Sequence, residues 1–396
     1  MVKIKVKSNQ TSLKFIDLFC GVGGFHQALS SLGHKCVLAS DIDKACQEVY
    51  KDNYNIEPVS NIKDIDEKNM VEFDILTGGF PCQPFSNGGN KKSFSDDRGL
   101  LFDEIMRLAR EKKPKFMFLE NVKHILKVSD GEVIEYIKNR IKDTGYSLQI
   151  FPMSPHNYGI PQQRERIFFV CVRNDIYNGN DITLIDNNLN LTPNDIIEDV
   201  VDKKYNINNE TKNVLDAWDE LIKQFEEGEK MSPTILIHDA FRTYTDIEFN
   251  QLPNWKQDYM TKNKPLIEKY QHIINPWYEK HKDLLSKREI YGKLEWQTGP
   301  LTKNDSIYNH FIQLRQSGIR VKKGHYFPTL VAISQIPIYG PKKRLLTPRE
   351  CARLQSFPDS FKLHESDKVV YKQMGNAVNV HNTHTVISST LKHYNL

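Results

Sequence analysis

The first 175 residues alternate short apolar runs with stretches of helical spacing. Leu13 to Phe19 reads as a buried strand, followed by the glycine turn CGVGG and a helical stretch from Phe25 to Leu32 that Gly33 stops. The pattern then predicts a strand at Cys36 to Ala39, a helix at Asp43 to Asn53 and a strand at Phe73 to Leu76. Leu100 to Arg110 has helical spacing, Phe116 to Leu119 reads as strand, Glu132 to Lys142 as helix and Ile167 to Val172 as strand. Strands alternating with helices predict an α/β fold whose doubly wound, mostly parallel sheet is covered on both faces. In such folds ligands bind beyond the carboxyl ends of the strands.

From about Tyr177 the pattern changes. YNGNDITLIDNNLNLTPND is rich in Asn and Asp and reads as a linker. From about Leu215 to Lys343 no period holds, and all four tryptophans (Trp218, Trp255, Trp277, Trp296) fall in this stretch, which reads as a second, smaller irregular domain with its own aromatic core. Order returns in TPRECARLQ, a helix over Thr347 to Gln355 with Thr347 as N-cap, and Val378, Ile387 and Leu391 give a final helix one apolar side. The division expected is 1–190 for a first domain, 191–345 for a second, 346–370 for a hinge and 371–396 for a segment returning to the first domain.

At 396 residues the chain is long for one domain. Hydrophobic content of 39% and charged content of 26% describe a globular protein, with no apolar run long enough to span a membrane. None of the six cysteines forms a CxxC pair, so neither a zinc site nor a disulfide framework is expected, and a reducing cytoplasm fits. The net charge of +4 permits nucleic acid as a partner without requiring it.

The candidate chemistry falls at the predicted strand ends. GGFPCQPFS, Gly78 to Ser86, sets Cys82 between two prolines, and a thiolate is the strongest side-chain nucleophile. The CGVGG turn with Asp41, an acid at the end of the second strand, suits a nucleoside-bearing cofactor, NAD or S-adenosylmethionine. Glu120 stands at the fourth strand end. Arg164 and Arg166 are two apart at the start of a strand, and so share one face.

The order of these pieces decides between cofactors. FIDLFCGVGG, the acid, GGFPCQPFS, ENV (Glu120 to Val122), QQRER (Gln162 to Arg166), a long variable segment, RLLTPREC and QMGNAV (Gln373 to Val378, a glycine-containing turn) together resemble the DNA cytosine-5 methyltransferase family of bacterial restriction–modification systems. The resemblance covers about Phe15 to Val172 and Arg344 to Val380. It implies the S-adenosylmethionine-dependent methyltransferase type of fold and methyl transfer to carbon 5 of a cytosine flipped out of duplex DNA. It gives Cys82 the attack on carbon 6, and Glu120 the exocyclic amino group and ring nitrogen 3. Arg164, and after it Arg166, would hold the carbonyl oxygen of the base.

For the cofactor, the family pattern points to Phe19, Gly21, Gly23, Asp41, Ile42, Asn61, Ile62, Phe80, Leu101, Asn376, Ala377 and Val378. Ile42 and Asn61 depart from it: relatives often have an aromatic residue and an Asp there. Ser86, Lys91, Lys92 and Arg98 belong to a loop expected to close over DNA. Arg315, Arg320, Lys322 and Lys323 in the middle segment are the expected recognition residues. The resemblance further implies duplex DNA as substrate, a partner restriction endonuclease, a monomer, and no metal. Three other readings were weighed: a tRNA methyltransferase, which the long middle segment disfavours; a nucleotide-dependent oxidoreductase, which leaves Cys82 and Glu120 without a task; and a catalytically dead DNA-binding module, which the intact Cys82, Glu120 and Arg164 disfavour.

Overall fold

A computed structural model of the protein describes residues 12–81, 100–185, 187–332 and 335–396. The chain divides into two compact units, Met1–Leu191 with Cys351–Leu396, and Thr192–Glu350.

The first unit is built on β1 (Lys14–Leu18), β2 (Lys35–Ser40), β3 (Ile75–Gly78), β4 (Phe116–Val122), β5 (Tyr146–Met153) and β6 (Arg166–Arg173), in the spatial order β2-β1-β3-β4-β6-β5. The first four run parallel, and β6 runs antiparallel to both its neighbours. Both faces of the sheet are covered, and the period-two alternation shows it. Ile16, Leu18, Met117, Leu119, Phe169 and Cys171 pack with α3 (Leu100–Lys112) and α4 (Glu132–Asp143). Phe15, Phe116, Phe118, Phe168 and Val170 pack instead with α1 (Gly24–Ser31) and the C-terminal helix Val380–His393. The strand β5 was not expected. It lies at the sheet edge with most positions half-buried, so YSLQIFPM shows neither an apolar run nor a clean alternation.

Between β2 and β3, α2 (Lys44–Tyr54) is capped by Asp43, whose carboxylate accepts from the amides of Ala45 at 3.1 Å and Cys46 at 3.4 Å. The expected turn at Gln373 to Val378 is largely helix: Asp367–Asn376 is helical, and Ala377 and Val378 lie beyond it, the Ala377 amide closing the last turn on Gln373 O at 2.8 Å. Local sequence does not favour glycine in a helix. Tertiary contacts hold this one, with Gln373 Nε2 donating to Ala45 O at 3.0 Å and Lys372 paired to Asp43 at 2.7 Å.

The second unit is more regular than its sequence pattern. Six short strands, β7 (Ile235–Leu236), β8 (Lys293–Gln297), β9 (Phe311–Arg315), β10 (Gly318–Lys322), β11 (Ile338–Tyr339) and β12 (Arg344–Leu345), form a sheet in the order β12-β11-β9-β10-β8-β7. Strands this short carry too few positions to establish a period, and the helices Asn254–Lys269 and Gln271–Leu285 each contain a proline. Trp218, Trp277 and Trp296 are core residues whose indole N–H groups donate to the carbonyls of Tyr291, Ala217 and Gly299. Trp255, expected among them, is 53% exposed: it stands in the first turn of Asn254–Lys269, a helix that buries little beyond Asn263 and Leu266.

Candidate active site

The turn after β1 is left-handed at three of five residues: Phe19, Gly21 and Gly23 have φ of 51°, 52° and 87°. Glycine meets this demand at no steric cost, and Phe19 does not. The turn is therefore held from outside. The Gly21 amide donates to Asp41 Oδ2 at 2.7 Å, and the Asp43 amide donates to Asp41 Oδ1 at 2.8 Å. Each Asp41 oxygen keeps a further lone pair for another donor. Burial pushes the Asp41 carboxyl above its ordinary range, and the two amides and Lys372 oppose that. Beside it Ile42 is 79% exposed, a large apolar side chain left uncovered at a strand end. A side chain built at Gly21 would meet nothing within 4 Å, so the space over the turn is open. An open glycine cradle, a carboxylate with spare acceptor capacity and an uncovered apolar platform fit a nucleoside-bearing ligand with polar groups at both ends.

The other cofactor candidates divide. Asn61 caps a short 3₁₀ turn, with Oδ1 accepting from the Lys63 amide at 3.1 Å. Ile62 and Phe80 place their side chains in the core, and Phe80 packs on Phe102 and Phe169. These two therefore have little beyond backbone to offer a ligand. Leu101 is half-buried against the same core, Asn376 is exposed, and Ala377 and Val378 are nearly buried.

Glu120 and Arg166 meet where β3 and β4 end. Glu120, 8% exposed, is bounded by Gly79, at which a built Cβ would lie 3.8 Å from both Glu120 Oε2 and Val378 Cγ1. Arg166 Nε stands 3.0 Å from Glu120 Oε1. Burial nevertheless holds the Glu120 carboxyl above the ordinary carboxylate range, against the pull of Arg166 and Arg164. A carboxyl raised in this way gives up its proton less readily than one in water. The two arginines differ in their partners. Arg164 is 1% exposed, and its Nη2 donates to Gly375 O at 2.8 Å and Ala377 O at 2.9 Å. It precedes β6 and fastens the C-terminal segment, whereas Arg166, the first residue of β6, meets Glu120 directly.

Asn121 Nδ2 donates to Phe80 O at 2.9 Å, which fixes the base of the loop that leads to Cys82. Cys82 itself lies outside the described residues, as do Ser86, Lys91, Lys92 and Arg98. Among the described cysteines, burial pushes the thiols of Cys20, Cys36, Cys46 and Cys171 upward, which makes them poor nucleophiles. No metal-holding group of His, Cys, Asp and Glu occurs among the described residues.

Sequence reasoning missed a buried polar network behind the glycine turn. The Thr77 hydroxyl lies 2.9 Å from Asp17 Oδ1, and the Tyr50 hydroxyl lies 3.4 Å from Asp17 Oδ2 and 2.7 Å from His26 Nδ1. The signal was available: Asp17 is a charged residue inside an otherwise apolar strand.

In the second unit, strands β8, β9 and β10 bury Leu294, Trp296, Ile312, Ile319 and Val321 on one face. The alternate positions carry Glu295, Gln313, Arg315, Arg320 and Lys322. Arg320 Nε and Ser317 Oγ both donate to the nearly buried Glu295 carboxylate at 2.6 Å. Lys322 stands over the Tyr326 ring, and Lys323 is exposed.

The family model for C-5 cytosine-specific DNA methylases matches residues 13–392. The chain belongs to that family. It is 32% identical over 95% of its length to the type II methyltransferase M.HhaI of Haemophilus parahaemolyticus, covering 93% of that protein. It is 31% identical to M.BanI of Aneurinibacillus aneurinilyticus, with 93% of each chain covered. Among solved structures the fold is shared with the Entamoeba histolytica methyltransferase EhMeth (TM-score 0.58, 18% identity, 97% of this chain and 99% of that one). It is shared also with Schizosaccharomyces pombe Dnmt2 (TM-score 0.55, 19% identity, 97% and 100%). This C-5 cytosine DNA methylase transfers methyl groups to carbon 5 of cytosine in DNA and uses S-adenosylmethionine. The oxidoreductase reading is thereby set aside. No helix among the described residues is long and apolar enough to cross a membrane.

Proposed function

We propose that this methylase modifies one cytosine within a specific duplex sequence by covalent catalysis from Cys82, and that Thr192–Glu350 reads that sequence. The observation that carries the reading is the buried pairing of Glu120 with Arg166 beside Gly79, three residues before Cys82. A cytosine ring becomes nucleophilic at carbon 5 once a thiolate has added at carbon 6. Glu120, with its raised affinity for a proton, would donate to ring nitrogen 3 and draw charge from the attacked ring. Arg166 would both orient Glu120 and hold the carbonyl oxygen of the base. Arg164 would keep the Gly375–Val378 segment in place. Gly21, Gly23, Asp41 and Ile42 would hold the methyl donor, Asp41 at the ribose hydroxyls and Ile42 on the adenine, while the backbone near Phe19, Asn61, Ile62, Phe80 and Asn376 completes the pocket. S-adenosylmethionine supplies an electrophilic methyl group when bound.

In the second unit, the polar face of β8–β10 favours nucleic acid: three cations gather with one buried carboxylate. Burial and the neighbouring Arg320 charge lower the affinity of Arg315 and Lys322 for their protons, so an approaching polyanion or guanine edge would relieve the repulsion. The protein would act as a monomer in the cytoplasm and protect host DNA from a paired endonuclease.

Bisulfite sequencing of plasmid DNA from cells expressing the chain tests the proposal. Conversion-resistant cytosines in a single sequence context are expected, and none with Cys82→Ala. Methylation scattered without context, or methyl incorporation into tRNA in place of duplex DNA, would reject it.

A further inference from the structure

The glycine turn is held from behind by an aromatic pair that the family chemistry does not call for. Tyr54, the last residue of α2, lays its ring where a side chain of Gly23 would stand: a built Cβ at Gly23 would come 2.3 Å from Tyr54 Cε2. Its hydroxyl donates to Gly23 O at 3.0 Å and lies 3.4 Å from Gln27 Oε1. The His26 ring stacks on it, 3.8 Å between centroids and 14° from parallel. His26 Nδ1 in turn meets the fully buried Tyr50 hydroxyl at 2.7 Å, and the chain continues through Asp17 to Thr77 on β3.

Two features make this more than packing. First, the carbonyl that Tyr54 engages belongs to Gly23, the residue that leaves the left-handed turn and opens α1. Gly23 caps that helix without a side chain; its carbonyl accepts from the Gln27 amide at 2.9 Å, and the Tyr54 hydroxyl adds a second donor from outside the helix. Second, burying polar groups costs free energy unless they are hydrogen-bonded, and a paired network holds its members in one geometry. Here the groups run unbroken from the cofactor turn to the strand that leads towards Cys82.

We infer that Tyr54 and His26 are positioning residues that set the glycine turn for the methyl donor, and so govern affinity for S-adenosylmethionine separately from the transfer step. The inference rests on the reading that the donor sits over Gly21 and Asp41. Tyr54 meets the turn at the carbonyls of Val22 and Gly23, whereas Asp41 meets it at the Gly21 amide. A loosened turn would bind the donor less well, because ordering it would then be charged to binding. Once donor and DNA are bound the turn is ordered, and the chemical step proceeds as before.

The test compares full-length wild type with Tyr54→Phe, Tyr54→Leu and Asp41→Ala. Equilibrium titration with S-adenosylhomocysteine in the absence of DNA measures affinity, and steady-state kinetics separates kcat from the two KM values. Tyr54→Phe keeps the stack and loses the hydroxyl, so Kd and the KM for S-adenosylmethionine should rise roughly three- to tenfold, with kcat and the KM for DNA within about twofold. Tyr54→Leu, if it folds, should show the larger rise. Unchanged donor affinity in folded Tyr54→Phe overturns the inference, as does a fall in activity that follows only the folded fraction. If Asp41→Ala also leaves donor affinity untouched, it is the location of the donor that fails.

Discussion

Glu120 shows how environment assigns chemistry to a common side chain. A carboxyl on the surface is an anion at neutral pH, whereas burial raises this one and Arg166 keeps the rise in check. Glu120→Gln keeps the shape and removes the transferable proton. Its kcat should fall roughly 10²- to 10⁴-fold with DNA affinity retained, as single-turnover methyl transfer and gel-shift titration would show. Asp17 is the clearest titrating residue of the missed network. Its ordinary value of 3.8 is raised by burial to about 8 in the folded chain. Between those values the folded state binds the extra proton, so the Asp17 contribution to stability is full below pH 3.8 and declines as pH climbs towards 8. His26 runs the other way: burial lowers it from 6.5 to about 4, so its contribution is lost as pH falls through that interval. From pH 6.5 to 8, only Asp17 of the two changes. Asp17→Asn should therefore flatten the decline of Tm over that window in scanning calorimetry, and parallel curves for the two proteins would show that Asp17 titrates elsewhere.

At the scale of elements, the C-terminal return of the chain matters most. The C-terminal half of the helix Asp367–Asn376 is fastened from two directions: Gln373 and Lys372 reach α2, and Arg164 grips the carbonyls of Gly375 and Ala377. A planar guanidinium spans two carbonyls from one nitrogen without strain, and a lysine ammonium at the end of a shorter, unforked stem does so poorly. Arg164→Lys should lose roughly 1–3 kcal/mol of unfolding free energy in urea titration and raise the KM for S-adenosylmethionine. If it instead abolished kcat with stability and donor KM intact, Arg164 would belong at the base after all. The sequence showed the helix at Val380–His393 through its apolar positions but concealed the one before it, because Gly375 and polar neighbours give no local helical signal. The α2–Arg164 contacts that stabilise it lie hundreds of residues away in sequence.

For the whole molecule, recognition of DNA separates into charge and pattern. Lys323 is exposed and follows the end of β10, so Lys323→Ala should weaken binding to all sequences alike and reduce the salt slope by about one. Arg320 is held by Glu295, which fixes its orientation on the sheet. Arg320→Ala should cost roughly 1–3 kcal/mol of discrimination at one base position while non-specific binding persists, read by comparing methylation of a library of flanking sequences. An equal loss on every sequence would make Arg320 a phosphate contact.

The sequence by itself determined β1 to β4 and β6 of the first unit: they are apolar runs because both faces of the sheet are covered, and glycine turns and lone acids stand out against such runs. It determined also the candidate chemistry, since nucleophile, acid and arginines occur as short motifs in a fixed order. Tertiary structure alone decided which arginine meets Glu120, because Arg164 and Arg166 look alike in sequence and differ only in what lies opposite them. It alone decided that Ile62 and Phe80 spend their side chains in the core, that Trp255 stays outside it, and that Tyr54 and His26 stand behind the glycine turn. Side chains far apart in the chain meet only when the sheet brings strand ends together, and no local pattern records that meeting.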